Sequence, residues 1–147
     1  MNLISKFLFL ILFGISPNGF SQNINKSGKE NLALKGYDTV SYFEDSTAVE
    51  GNKKFEFEYL GAKWRFVSAE HLELFKKSPE KYAPQYGGYC AWAVGHNYTA
   101  GADPLCWKIV DGKLYLNYNK NVQVDWSKDI PNLIEAGDAN WNELSKK

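Results

Sequence analysis

Four side chains carry the sulfur and imidazole groups that most often do chemistry in proteins. Cys90 lies in the stretch GGYCAWAVGH, which ends at His96, and Cys106 follows sixteen positions after Cys90. His71 is the other of the two histidines. Thiolate and imidazole are donors that suit Cu(I) and Zn(II). One hypothesis is therefore a copper or zinc site formed by Cys90, His96 and Cys106, with His71 as a further candidate.

The two cysteines also allow two structural interpretations. In an exported chain a pair of cysteines predicts a disulfide, here between Cys90 and Cys106. Closing a loop of this length would stabilise the fold by about 3 kcal/mol in the chain-entropy model. Alternatively, Cys90 is a small buried thiol beside Trp92, an environment that free cysteine often occupies. The residues leave these interpretations open.

Known catalytic signatures are missing from the sequence. It contains no GxSxG, HExxH, Walker or dinucleotide-binding motif, and its acidic residues form no evident catalytic pair. A thiol-dependent enzyme that pairs Cys90 or Cys106 with a histidine is the minor alternative. We therefore expect a protein that is not an enzyme.

Aromatic side chains, at 16% of the residues, suggest a second functional class. Most of these rings are expected in the core, because a small domain needs large buried side chains. Some rings between Tyr82 and Trp107 would instead line a cleft. Such a cleft predicts a module that binds a small molecule or a protein.

The first residues have the pattern of a secretory signal peptide. Lys6 precedes the apolar run 7–15, and small residues precede Gln22. This order predicts a signal peptide over 1–21 and a periplasmic or secreted protein. The run is too short to span a bilayer, and no later segment would span one. Lysine plus arginine equals aspartate plus glutamate at 17 each, so no basic surface predicts nucleic-acid binding. Nothing in the sequence indicates an oligomeric state.

The rest of the chain reads as a flexible leader over 22–31 and one domain over 32–147. The leader is polar and has no periodicity. In the domain, alternating apolar residues predict a hairpin over 55–67, and Asp111-Gly112 predicts the turn of a second hairpin. We expect short helices around these hairpins, which makes a small α+β domain.

Three residues are predicted to cap helices. Asp38 precedes a short helix at 39–43, Ser68 precedes one at 69–77, and Asn119 precedes another. A further short helix is expected at 89–94. His71 would lie in the first turn of the second of these helices, where we expect it to be exposed or to pack on the Trp64 hairpin.

Four stretches of the sequence resemble the YHS-domain family, in particular its exported single-domain branch. They are GYDTVSYF (36–43), YLGAKWRFVS (59–68), HLELFKKSPEKYAPQYGGYCAWAV (71–94) and DPLCWKIVDGKLYLNYN (103–119). The family is related to TRASH-type metal-binding modules, so the resemblance implies binding of a heavy metal.

The chain departs from the metal-binding pattern of that family at two positions. Ser41 lies near the first cysteine position of the family, and Val67 replaces the second. The thiolate ligands of the family therefore cannot be transferred to this chain. If this protein binds a metal, the resemblance leaves Cys90 as the thiolate, with His96 and Cys106 as auxiliary donors.

Overall fold

The computed structural model describes residues 23–147 and confirms a small α+β domain. Within these residues, the strands form one four-stranded sheet and one two-stranded sheet. In chain order the strands are β1 (Lys26–Ser27), β2 (Leu32–Ala33), β3 (Asn52–Tyr59), β4 (Ala62–Phe66), β5 (Asp103–Val110) and β6 (Lys113–Asn117). The helices are α1 (Ser41–Glu44), α2 (Ala69–Lys77), α3 (Pro79–Tyr82), α4 (Ala91–Gly95), α5 (Lys120–Ser127) and α6 (Ile130–Leu144).

Both predicted hairpins are present, and each is irregular at one point. Strands β3 and β4 pair antiparallel, with Phe57 opposite Trp64 and a register shift between Asn52 and Glu56. Strands β5 and β6 also pair antiparallel, around the turn at 111–112. The first sheet has the order β1-β2-β4-β3, and β2 runs parallel to β4. That parallel pairing links distant segments and was not predicted.

The leader predicted over 22–31 is instead part of the fold over residues 23–31, so this prediction is corrected; the signal peptide predicted over 1–21 lies outside the described residues. Ile24 is buried in the core, and β1 pairs with β2. The backbone N–H of Asn25 donates to the carbonyl of Gly87 at 2.9 Å. The buried side chain of Ile24 and the pairing of β1 with β2 therefore order this polar segment, although its composition alone predicts flexibility.

The apolar core falls into two clusters that meet at β6. Leu114 and Leu116 pack in the first cluster with the β3–β4 hairpin, whereas Tyr115 packs in the second with Trp126 of α5. Successive side chains of a strand point to opposite faces, so a strand covered on both sides contributes to both clusters. Asn117 continues the face of Tyr115 and is fully buried.

Two of the three predicted helix caps, Ser68 and Asn119, are confirmed. Ser68 accepts the backbone N–H of His71, and Asn119 accepts that of Val122. The helix predicted at 39–43 begins at Ser41 instead, with Val40 as its cap residue, so the assignment of Asp38 as the cap is corrected. The side chain of Asp38 accepts the N–H groups of Val40 and Ser41, just before and at the start of α1. None of the helices in residues 23–147 combines the length and apolar character needed to cross a membrane.

Candidate functional site

A pocket of about 240 Å³ lies beside α4 and α5, at the end of β6. Its lining combines aromatic rings, small or branched apolar side chains and one sulfur atom. The lining residues are Cys90, Trp92, Ala93, Tyr98, Ala100, Tyr118 and Val122. A cavity of about 150 Å³ already accommodates benzene when its walls are apolar. The pocket is therefore large enough for a small organic molecule.

Cys90 is buried in the protein while lining this pocket. Its backbone N–H donates to the carbonyl of Ala100 at 2.9 Å, which ties the loop after α4 back to the start of that helix. The backbone N–H of Tyr118 donates to Sγ of Cys90 at 3.3 Å. The thiol in turn lies 3.6 Å from Oδ1 of Asn117. These contacts hold the sulfur in one position at the wall of the pocket.

Asn117 connects β6 to the beginning of α4. Its Oδ1 accepts the backbone N–H of Trp92 at 3.1 Å, in addition to its contact with Cys90. The N–H groups in the first turn of a helix have no partner within that helix, so this amide caps α4 from a distant strand. The sequence pattern does not single out Asn117; its one signal is a polar residue that ends an apolar strand.

Two aromatic contacts fix the indole of Trp92. The imidazole of His96 stacks on it, with ring centroids 3.9 Å apart and an interplanar angle of 29°. Nδ1 of His96 lies 2.7 Å from the carbonyl oxygen of Trp92. The ring of Tyr98 meets the indole nearly at a right angle, 84°, at 6.3 Å. His96, predicted as a metal ligand, is thus an exposed side chain that supports Trp92.

The predicted metal donors do not come together as a set. Across residues 23–147, no three His, Cys, Asp or Glu side chains are grouped so that they would hold a metal ion. Cys90 is the only one of Cys90, His96 and Cys106 that lines the pocket. The residues described therefore do not fit a metal held entirely by side chains of this chain.

Both cysteines are free, buried thiols in the structure. Burial raises the pKa of the Cys106 thiol, and the charge of Asp103 acts in the same direction. Cys106 lies on β5, whereas Cys90 precedes α4. The structure gives no support to the predicted disulfide, which a thiol count will test.

Asp38 and His71 form the second polar cluster that sequence analysis missed. Asp38 is fully buried, and its Oδ2 lies 2.7 Å from Nδ1 of His71. The same oxygen accepts the N–H of Val67 at 2.8 Å. Nε2 of His71 lies 3.6 Å from the half-exposed Asp45. Asp38 therefore joins α1, the end of β4 and α2, which is a structural role.

Comparisons with known proteins give no relative for this chain. No family model, no curated protein and no solved structure matches it.

Proposed function

We propose that this protein is a binding module for a small, mainly apolar molecule that occupies the pocket beside Cys90. The observation that carries the proposal is the pocket itself, about 240 Å³ in volume and lined by aromatic and aliphatic side chains. Ligand sites are usually concave and apolar, with few polar groups. This function corresponds to the aromatic cleft that the sequence allowed: Trp92 lies in the predicted range of rings, whereas Tyr118 lies outside it.

The exposure of two rings supports the proposal. Tyr98 is 46% exposed and Tyr118 is 58% exposed, and both line the pocket. The large aromatic side chains of the two cores are buried, as folding requires. Packing of the core does not account for two exposed tyrosines at the edge of one cavity, whereas a bound ligand would cover them.

The test is calorimetric titration of the purified protein with indole and with 3,3-dimethylbutan-1-ol. We expect binding of at least one of them, and we expect Ala100→Phe to weaken that binding at least tenfold because the new ring fills the pocket. Ala139→Phe is the matched control, since Ala139 is exposed on α6 and lies outside the lining. No binding of either molecule, or equal binding by both variants, would contradict the proposal.

Metal binding remains a second proposal and rests on the sulfur of Cys90 in the pocket wall. Because the chain does not group three donors in residues 23–147, an ion there would need ligands from outside the protein. Retention of Cu(I) or Zn(II) after desalting under reducing conditions, abolished by Cys90→Ser and unaffected by Cys106→Ser, would support it. A protein that retains neither metal would exclude it.

Three other proposals rest on the sequence. The motifs quoted above support membership of the YHS-domain family. The pattern of residues 1–21 supports export, and an N-terminus at Gln22 in the secreted protein would establish it. The minor enzyme hypothesis requires a reactive Cys90 thiolate. Slow alkylation of Cys90 by iodoacetamide at neutral pH would argue against a thiol-dependent enzyme.

A further inference from the structure

We propose that the group bound in the pocket is a quaternary ammonium, such as the trimethylammonium end of a small molecule. This inference rests on the proposed function and specifies its ligand class. It starts from three aromatic residues, Trp92, Tyr98 and Tyr118, which line one cavity. The faces of aromatic rings are electronegative and attract cations, most strongly at tryptophan.

The arrangement of the rings fits an aromatic cage. Trp92 and Tyr98 form two walls nearly at a right angle, 84°, with centroids 6.3 Å apart. Tyr118, directly after β6, is the third aromatic residue of the lining. Rings that line a cavity from different directions can surround one compact cation, whereas a single stacked pair favours a flat ligand.

The remainder of the lining decides which kind of cation fits. No charged side chain lines the pocket; its other residues are Cys90, Ala93, Ala100 and Val122. A primary ammonium would lose hydrogen bonds to water here and find no carboxylate in return. A quaternary ammonium has no N–H group to satisfy, and its methyl groups can pack against the alanines and valine. No lysine or arginine in the lining would repel it.

Trp92 and the backbone of Tyr118 are held in position before any ligand binds. The amide oxygen of Asn117 holds the backbone of Trp92, and the imidazole of His96 stacks on its indole at 3.9 Å. The backbone N–H of Tyr118 donates to the sulfur of Cys90, and this bond fixes the backbone of Tyr118 beside the pocket. Binding to such a preorganised site loses little conformational entropy.

The experiment compares choline with 3,3-dimethylbutan-1-ol, the neutral molecule in which carbon replaces the quaternary nitrogen. The two probes have nearly the same shape, so their affinity ratio isolates the charge. We expect the purified protein to bind choline about 2- to 30-fold more tightly in calorimetric titrations, the range given by cation–π attraction. Equal or tighter binding of the neutral probe would overturn the ammonium inference and leave the apolar pocket intact.

Variants of Tyr118 separate the ring from the shape of the pocket. This side chain is largely exposed, so its replacement is compatible with folding. Tyr118→Leu should lower the affinity for choline at least threefold and change that for the neutral probe less than twofold, whereas Tyr118→Phe should retain both. Phe55→Leu on β3, outside the lining, is the control for loss of an aromatic ring. If Tyr118→Leu weakens both probes equally, the inference fails; if neither probe nor indole binds, the proposed function fails with it.

Discussion

Replacing Asp38 should destabilise the whole domain, because four groups depend on its buried carboxylate. Oδ1 accepts the N–H groups of Val40 at 2.8 Å and Ser41 at 3.2 Å. Oδ2 accepts the N–H of Val67 at 2.8 Å and lies 2.7 Å from Nδ1 of His71. A hydrogen bond to a charged group contributes about 1.5–3 kcal/mol, and leaving a buried donor without its acceptor costs about 1–3 kcal/mol.

For Asp38→Ala we therefore expect a loss of about 4 kcal/mol in the free energy of unfolding, a value below the sum of four separate bonds because the freed groups relax together. Domains of this size have a total stability of about 5–15 kcal/mol. With a urea dependence of about 2 kcal/mol per molar, the unfolding midpoint should fall by about 2 M. Tryptophan fluorescence in urea measures it, since Trp64 and Trp126 are fully buried.

Two further variants make the result specific. Asp38→Asn keeps the shape and one acceptor but sets an amide NH₂ against the donor of Val67, so we expect about half the loss. Asp45→Ala removes a half-exposed carboxylate 3.6 Å from His71 and should change stability by less than about 0.5 kcal/mol. A loss of under about 1 kcal/mol for Asp38→Ala, or an equal loss for Asp45→Ala, would refute the assignment of Asp38 as the residue that joins α1, β4 and α2.

Three other predictions concern the N-terminal segment, the buried phenols and the thiols. Gly87→Ala places a Cβ in a steric clash with the carbonyl oxygen of Asn23, at a φ of +60°. It should therefore lower the melting temperature more than Gly61→Ala, whose φ is +73° and whose new Cβ meets nothing within 4 Å. Burial raises the pKa of Tyr115 to about 12, so the stability that this neutral phenol contributes is fully present below pH 10 and is lost between pH 10 and 12. Between pH 8 and pH 11, the free energy of unfolding of Tyr115→Phe should fall by about 1 kcal/mol less than that of the unaltered protein. Equal decreases in the two proteins would contradict this prediction. Because burial raises the pKa of the Cys106 thiol, iodoacetamide at pH 8 should alkylate this thiol slowly in the native protein and quickly in urea. In urea without reductant, two thiols per molecule should react; a count of zero reactive thiols would establish a disulfide.

Local signals in the sequence predict most elements of the fold. The alternation around Trp64 and the Asp111-Gly112 turn indicate the hairpins, and Ser68 and Asn119 mark the starts of two helices. These features depend on neighbours a few residues apart, which sequence patterns record. The pairing of β2 with β4 depends on Leu32 meeting Lys63, and no local pattern encodes a contact across thirty residues.

At the candidate site, too, residues with a local signal could be predicted from the sequence, whereas contacts between distant residues could not. Cys90 and Trp92 were selected from their residue types, but the partner that organises them, Asn117, lies 27 positions from Cys90. A buried asparagine has no distinctive pattern in sequence, because the same residue type is common in exposed turns. His71 was expected to be exposed or packed on a hairpin. No pattern near His71 in the sequence indicates its contact with the carboxylate of Asp38, which lies 33 positions away.

The position of the pocket follows from the way β6 ends. Up to Leu116 the strand supplies apolar side chains to both cores, and at Asn117 it turns to polar contacts with the start of α4. The next backbone N–H, that of Tyr118, bonds to the sulfur of Cys90. A strand that stops in this way leaves the space between α4 and α5 without a core side chain to fill it, and partly exposed rings border that space. A substitution that displaces the Asn117 side chain should therefore change the shape of the pocket, through Cys90 and Trp92, at a smaller perturbation than is needed to unfold either core.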